Sequence, residues 1–116
     1  DKNVTYPICF DLEKIKYDTA RTDNLTAEQI TKMTVAFCKQ IENAGYTPIV
    51  YGNAKTFTTR MQLEELNNYQ KWYADYQKTP LYPYEFSFWQ YTETGTVNGI
   101  KGNVDINLQF VPKENK

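Results

Sequence analysis

The chain has 116 residues, a formal net charge of −1 at neutral pH and 41% hydrophobic residues, which describes one folded domain with a modest core. No basic stripe of the kind that phosphate binding needs is visible, so nucleic acid is not expected as a partner. No apolar run approaches the roughly 20 residues of a membrane helix, and no signal peptide is recognisable. The absence of histidine excludes Ser-His-Asp and Cys-His catalysis and the commonest metal ligand.

The first predicted strand, residues 5–10, leads directly into two acidic residues, Asp11 and Glu13. Residues two apart in an extended chain point to the same face, with Cα atoms about 6.5 Å apart, so the two carboxylates should lie side by side. The carboxyl ends of strands are where α/β folds bind ligands. Such a pair can supply the acid and the stabilising carboxylate of glycoside hydrolysis, although an isolated Asp-x-Glu more often opens a solvated loop.

A strand, helix, strand, helix order fills the first half of the chain and predicts a parallel sheet with right-handed crossovers. Thr26 and Gln29 match a capping box, from which a helix is expected to run to about Ala44. A strand over residues 47–51 and a weaker helix over residues 55–67 follow. The predicted apolar stripe of the first helix consists of Ile30, Met33, Phe37 and Ile41.

The second half of the chain predicts strands without helices between them. We expect strands over residues 71–76, 85–92 and 102–107, and a polar tail over residues 110–116. Asp105 then stands at the end of the last strand, as Asp11 and Glu13 do for the first. Three acids at one end of one sheet are the strongest local argument for a functional site.

The two cysteines are predicted to be free, buried thiols. Cys9 shares the face of the two acids by parity, whereas Cys38 falls in a helix expected on the opposite face of the sheet. A disulfide between them is therefore not expected, and two cysteines do not fix a redox compartment.

Several motifs together resemble the carboxyl-terminal half of glycoside hydrolase family 25 lysozymes, the Chalaropsis-type muramidases. Residues 7–13 resemble the family strand that carries Asp-x-Glu, residues 48–51 the following strand, and residues 72–76 its Trp-x-Ala-x-Tyr strand. The family's closing signature is resembled by a last group of residues in this chain: Trp89-Gln90-Tyr91-Thr92, then Gly95, Val97, Gly99-Ile100 and Val104-Asp105-Ile106-Asn107.

The resemblance implies an α/β fold, a partial TIM-like irregular β/α barrel that holds strands four to eight of the family's eight, with two helices. Residues 1–116 would then be the carboxyl-terminal half of a lysozyme catalytic barrel. The family's first strand carries another catalytic-site Asp in a Gly-Ile-Asp-Val-Ser-type motif, which has no match here. Because such a barrel needs about 200 residues, we expect a fragment or a half-barrel that pairs with the missing amino-terminal half or with itself.

In function, the resemblance implies an N-acetylmuramidase that cleaves the bond between N-acetylmuramic acid and N-acetylglucosamine in peptidoglycan, with no metal or organic cofactor. Such an enzyme is secreted, associated with the cell wall, or a phage endolysin, and we expect this chain alone to be inactive. Glu13 would be the general acid, and Asp105 a supporting acid. Asp11 would stabilise the cationic transition state or orient the substrate's acetamido group. The aromatic lining would be Tyr51, Trp72, Tyr76, Trp89 and Tyr91.

Two other readings remain open at this point. A non-catalytic glycan-binding module would use the same aromatic lining, and it would tolerate Glu13→Gln. A generic small α/β domain explains the periodicities but not three acids at one end of the sheet. For the enzyme, Glu13 must hold a proton near neutral pH, and we expect Asp11 and aromatic walls to raise its pKa.

Overall fold

The computed structural model describes residues 3–114. They form one five-stranded sheet in which neighbouring strands follow the order of the chain. The first four strands run parallel, and the fifth runs antiparallel to the fourth. The strands are β1 (Ile8–Asp11), β2 (Pro48–Asn53), β3 (Gln70–Ala74), β4 (Phe88–Gly95) and β5 (Val104–Gln109), and the long helix is α1 (Ala27–Asn43). The predicted five strands and their parallel start are confirmed.

Helix α1 begins at the predicted capping box. The Thr26 hydroxyl accepts a hydrogen bond from the Gln29 backbone N–H at 3.2 Å, and the Gln29 side-chain oxygen accepts one from the Thr26 N–H at 2.9 Å. These reciprocal bonds satisfy two of the donors that a helix start leaves free. The helix ends before Gly45, whose φ of 83° takes the chain out of the helix at little steric cost.

The predicted apolar stripe of α1 is wrong by part of a turn, because Met33 is 39% exposed. The buried face instead includes two threonines that the sequence pattern counts as polar. The Thr31 and Thr34 hydroxyls donate to the carbonyl oxygens of Ala27 and Ile30, four residues back, at 2.7 and 2.8 Å. A threonine whose hydroxyl is satisfied this way can be buried without an unpaired polar group. The fully buried side chains of α1 are Ile30, Thr31, Thr34 and Cys38.

The predicted second helix over residues 55–67 is broken rather than continuous. A π-helical turn covers Thr56–Arg60, and a separate 3₁₀ turn covers Leu63–Leu66. Between them Met61 is extended, with φ −137° and ψ 152°. The turn contains three threonines, whose branched β-carbons disfavour a regular α-helix. Phe57 of the π-helical turn and Leu66 of the 3₁₀ turn are nevertheless buried, as a helix in this position would require.

The hydrophobic core lies between α1 and one face of the sheet. Helix α1 packs on β1 and β2, where the rings of Phe10 and Phe37 lie 5.4 Å apart. Each buried aliphatic or aromatic side chain stabilises such a core by about 1.5–3 kcal/mol. The core consists of Ile30, Cys38, Val50, Phe57, Met61, Leu66, Tyr73 and Tyr82.

The other face of the sheet is concave and carries no helix in the described part of the chain. Cys9, Ile49, Trp72 and Phe88 line a depression on it. Both cysteines are free, as predicted, with Cys38 buried and Cys9 half-buried. Burial, helped by the charge of Asp11, raises the pKa of the Cys9 thiol to about 12, so this cysteine is a packing side chain. Among residues 3–114 no helix has the length and apolar character to cross a membrane.

Candidate active site

Three acidic residues come together at the end of the sheet where the parallel strands have their carboxyl ends. Asp11 is the last residue of β1, and Glu13 follows two residues later. Asp105 is the second residue of β5, not the end of its strand as predicted. Asp105 nevertheless lies at the same end of the sheet, because β5 runs antiparallel to β4 and therefore starts beside the carboxyl end of β4.

The sheet must curl for these acids to interact, because Glu13 follows the first strand and Asp105 belongs to the last. Four strand spacings of about 4.8 Å would separate them by about 19 Å in a flat sheet, beyond the reach of a screened charge. The negative charge of Asp105 nevertheless raises the pKa of Glu13. The concave face therefore brings both ends of the sheet toward one point, as in part of a barrel.

A fourth acid, Glu93, belongs to the same cluster and was missed by the sequence reasoning. Its charge also raises the pKa of Glu13. The simple alternation of a strand places residue 93 on the face opposite Gln90, away from the concave side. A bulge in β4 changes that alternation. Gln90 and Thr92 are two residues apart, but their partners in β5, Asn107 and Ile106, are adjacent, so β4 has one extra residue here. No feature of the sequence marks this bulge.

The electrostatics of the cluster favour a protonated Glu13. Partial burial raises the pKa of Glu13 most, and the charges of Asp11, Asp105 and Glu93 raise it further. Burial also raises the pKa of Asp11. A carboxyl group that keeps its proton to higher pH can donate it to a leaving group, while neighbouring carboxylates stabilise positive charge.

A cleft of about 460 Å³ opens beside Glu13. Tyr51 and Tyr76 line it, and both phenols donate to the same side-chain oxygen of Gln90, at 2.7 and 2.8 Å. Gln90 is buried, with 3% of its surface exposed. Burial is the main cause that raises the pKa of both tyrosines, so they stay neutral. The cleft thus has a fixed, uncharged aromatic wall next to a candidate acid.

The comparisons with known proteins agree with this geometry. The model of glycosyl hydrolases family 25 matches residues 1–100. The chain belongs to this family. The fold predicted from the resemblance, part of the family barrel, is confirmed by solved structures.

The chain is similar to one curated protein and to two solved structures, as follows. The protein YegX of Escherichia coli is 31% identical over 94 residues, which cover 78% of this chain and 34% of YegX. The autolysin LytC of Streptococcus pneumoniae is 25% identical with a TM-score of 0.74, over 93% of this chain and 26% of LytC. The CTP1L endolysin is 27% identical with a TM-score of 0.62, over 70% of this chain and 30% of that protein. The chain thus spans about a third of the length of YegX.

The aromatic side chains suggested by the family 25 resemblance do not all reach the cleft. Trp72 lies on the concave face, where its ring contacts Tyr51 edge-on at 5.0 Å and its Nε1 donates to Asn107 Oδ1 at 2.8 Å. Trp89 packs instead against the core on the helix side, and Tyr91 packs on Trp89 with ring centroids 5.9 Å apart. Neither Trp89 nor Tyr91 lines the cleft.

Asp75 holds the cleft wall that follows β3, a position that the sequence did not single out. Its carboxylate accepts hydrogen bonds from the Tyr73 hydroxyl at 2.7 Å and from the backbone N–H groups of Gln77 and Leu81 at 3.0 and 3.1 Å. Partial burial opposes ionisation of Asp75, but these bonds outweigh it and lower its pKa. Its backbone oxygen also accepts from Trp89 Nε1 at 2.8 Å. Asp75 therefore fixes the backbone on both sides of Tyr76.

Within residues 3–114 no group of three His, Cys, Asp or Glu side chains is placed to hold a metal ion.

Proposed function

We propose that this family 25 chain carries part of the active site of a peptidoglycan hydrolase that cleaves the bond between N-acetylmuramic acid and N-acetylglucosamine. The observation that carries the proposal is the position of Glu13, which lines a cleft and has a pKa raised by burial and by the acids around it. Family membership supports the reaction class. The substrate is supported by LytC, whose structure is known with a synthetic peptidoglycan ligand.

In the proposed reaction Glu13 is the general acid. It transfers its proton to the glycosidic oxygen as the bond to the sugar's anomeric carbon breaks, and water later supplies the hydroxyl and returns the proton. Asp11 stabilises the positive charge that develops on the sugar, or orients the substrate's acetamido group to attack it. Asp105 and Glu93 act through Glu13, because their charges raise its pKa.

The neutral aromatic side chains have a separate role in the proposal. Tyr51 and Tyr76 line the cleft, and Trp72 lies next to Tyr51 on the concave face. Sugar rings stack on such flat apolar faces. Trp89 and Tyr91 are proposed as supports behind the site, since Trp89 packs in the core.

We propose that residues 1–116 act as the carboxyl-terminal half of a catalytic barrel. Among the described residues β1 and β5 each have one neighbouring strand, so each leaves one edge unpaired. Further strands that pair with these edges would close the barrel around the acids. The names of the solved relatives, an autolysin and an endolysin, support action at a bacterial cell wall.

The test is digestion of purified peptidoglycan, with the products reduced and analysed by mass spectrometry. The chain is assayed alone and joined to the amino-terminal half of the LytC barrel. We expect muropeptides with reduced muramic acid ends from the joined form and none from the chain alone. Glu13→Gln should abolish them, whereas Glu64→Gln, a matched change at an exposed position of the 3₁₀ turn, should not.

Two results would count against the proposal. Products with reduced N-acetylglucosamine ends would show a different bond specificity. A joined form that binds peptidoglycan but does not cut it, with binding unaffected by Glu13→Gln, would favour a glycan-binding module.

A further inference from the structure

The cleft beside Glu13 has charged side chains on one side that the proposed reaction does not use. Lys14 follows Glu13 directly, and Lys55 and Arg60 come from the segment after β2. All three line the cleft, whereas Asp11, Glu93 and Asp105 do not. Glu13 therefore belongs to the acidic cluster and also lines a cleft that it shares with a cationic wall, defined as Lys14, Lys55 and Arg60.

The cationic wall is a built part of the structure rather than loose loops. An Arg60 guanidinium nitrogen donates to the Thr22 carbonyl oxygen at 2.8 Å, which ties the segment after β2 to the loop before α1. The Asn53 side-chain oxygen accepts from the Thr56 backbone N–H at 2.9 Å and fixes the turn that carries Lys55. These bonds hold the loops that follow β1 and β2 against each other.

Among residues 3–114 no carboxylate forms an ion pair with the cationic wall. Within residues 3–114 the one ion pair joins Lys32 to Glu28 on the exposed side of α1. Two acids besides Glu13 line the cleft, and both have other partners. Asp75 accepts three hydrogen bonds, and Asp23 accepts one from the Ala20 backbone N–H at 2.9 Å.

We propose that the cationic wall binds a carboxylate of the peptide stem that muramic acid carries, so that the site prefers peptide-bearing glycan to bare glycan. This inference rests on the proposed function. An anionic group attached to the sugar is repelled by the cluster of Asp11, Glu93 and Asp105 and attracted by the wall. The charge difference between the acidic cluster and the wall therefore orients the glycan as well as binding it.

The test compares binding of two soluble probes to the 116-residue chain by NMR titration. One probe is the disaccharide of N-acetylglucosamine and N-acetylmuramic acid with its lactyl carboxyl group amidated, so that the bare disaccharide carries no charge, and the other is the same disaccharide with a tripeptide stem on that carboxyl group. We expect the tripeptide probe to bind more tightly. A double variant with Lys14→Gln and Lys55→Gln should weaken its binding about tenfold at low salt.

The control is a double variant with Lys39→Gln and Lys78→Gln, which removes the same charge from exposed positions outside the cleft. It should bind both probes as the unmodified chain does. Unchanged binding of the bare disaccharide by the first double variant shows that this variant is folded. Amidation of the stem carboxylates should reproduce the effect of the lysine changes.

Four outcomes would overturn the inference. Equal binding of both probes would show that the stem is not recognised. A stem preference that survives loss of both lysines would place recognition elsewhere. Polyglycerol phosphate that competes with the tripeptide probe at the same lysines and binds more tightly would assign the wall to a phosphate polymer. Hydrolysis by the joined form that depends on Glu13 but not on the stem would leave the proposed function standing without this inference.

Discussion

Asp105 raises the pKa of Glu13 although the two residues belong to opposite ends of the sheet. Two features of the fold bring Asp105 and Glu13 together: the sheet curls, and its last strand, β5, runs antiparallel to the others. The partial barrel is thus the shape that assembles the acid cluster, because a flat sheet with the same strands would leave Glu13 with Asp11 alone.

The first prediction concerns this pair directly. Asp105→Asn should lower the pKa of Glu13, because the change removes a nearby negative charge and leaves the side-chain volume nearly unchanged. NMR titration of the Glu13 carboxyl carbon in both proteins measures the effect. Asp18→Asn, in the exposed loop before α1, is the matched control and should leave the titration unaltered. An unchanged Glu13 titration in Asp105→Asn would show that the charge of Asp105 does not act on Glu13, and burial, Asp11 and Glu93 would remain as the causes of the raised pKa.

The second prediction is that the acid cluster destabilises the fold at neutral pH. Ionisation of a carboxyl group whose pKa is raised on folding lowers the free energy of unfolding of the protein. This loss of stability is present above the folded pKa of the group and absent below its unfolded pKa of about 4. Asp11→Asn and Glu13→Gln should each raise Tm by about 1–3 °C at neutral pH. The gain should disappear in acid, as thermal unfolding followed by circular dichroism can show. A loss of stability at neutral pH in both variants would mean that these carboxylates stabilise the fold.

The third prediction has the opposite sign and concerns Asp75. Its pKa is lowered, so its contribution to stability is present above its unfolded pKa and is lost as the pH falls through the folded value. Asp75→Asn should cost about 0.5–1.5 kcal/mol at neutral pH, because three donors lose a charged acceptor while solvent screening at this partly exposed group reduces the effect. Urea unfolding at neutral and at acidic pH measures the difference, which should shrink in acid. Asp105→Asn is the comparison, with no comparable loss expected.

Much of the fold could be predicted from the sequence, because its signals are local. The capping box at Thr26 and Gln29, the exit at Gly45 and the apolar strands each depend on a few neighbouring residues. The pair Asp11 and Glu13 was found because a strand and its alternation are enough to place both side chains. The family resemblance then supplied the barrel, which local patterns alone do not specify.

The parts that failed depend on side-chain hydrogen bonds and strand pairing that the apolar pattern does not record. Thr31 and Thr34 are buried because their hydroxyls are satisfied by the helix itself, so the apolar pattern did not mark the buried face. Glu93 enters the site through a bulge that exists only in the pairing of β4 with β5. Trp89 packs against the core, because its neighbour Gln90 points into the concave face.

The fourth prediction is that the chain associates in solution. Among the described residues β1 and β5 each leave an edge unpaired, and Tyr6 and Leu108 near these edges are 63% and 47% exposed. Unpaired strands with exposed apolar side chains pair with other chains unless charge opposes it. Sedimentation velocity should show association that increases with concentration.

A matched pair of variants distinguishes pairing of the edge strands from non-specific association. Leu108→Lys puts a charge on β5 and should reduce association, because a lysine on an edge strand opposes pairing. Leu81→Lys, in the loop between β3 and β4, replaces a side chain that is 69% exposed and should leave association unchanged. A compact monomer at all concentrations would show that the edges are protected without a partner. Equal effects of both lysines would point to non-specific contacts, and the proposed pairing of the barrel edges would lose its support.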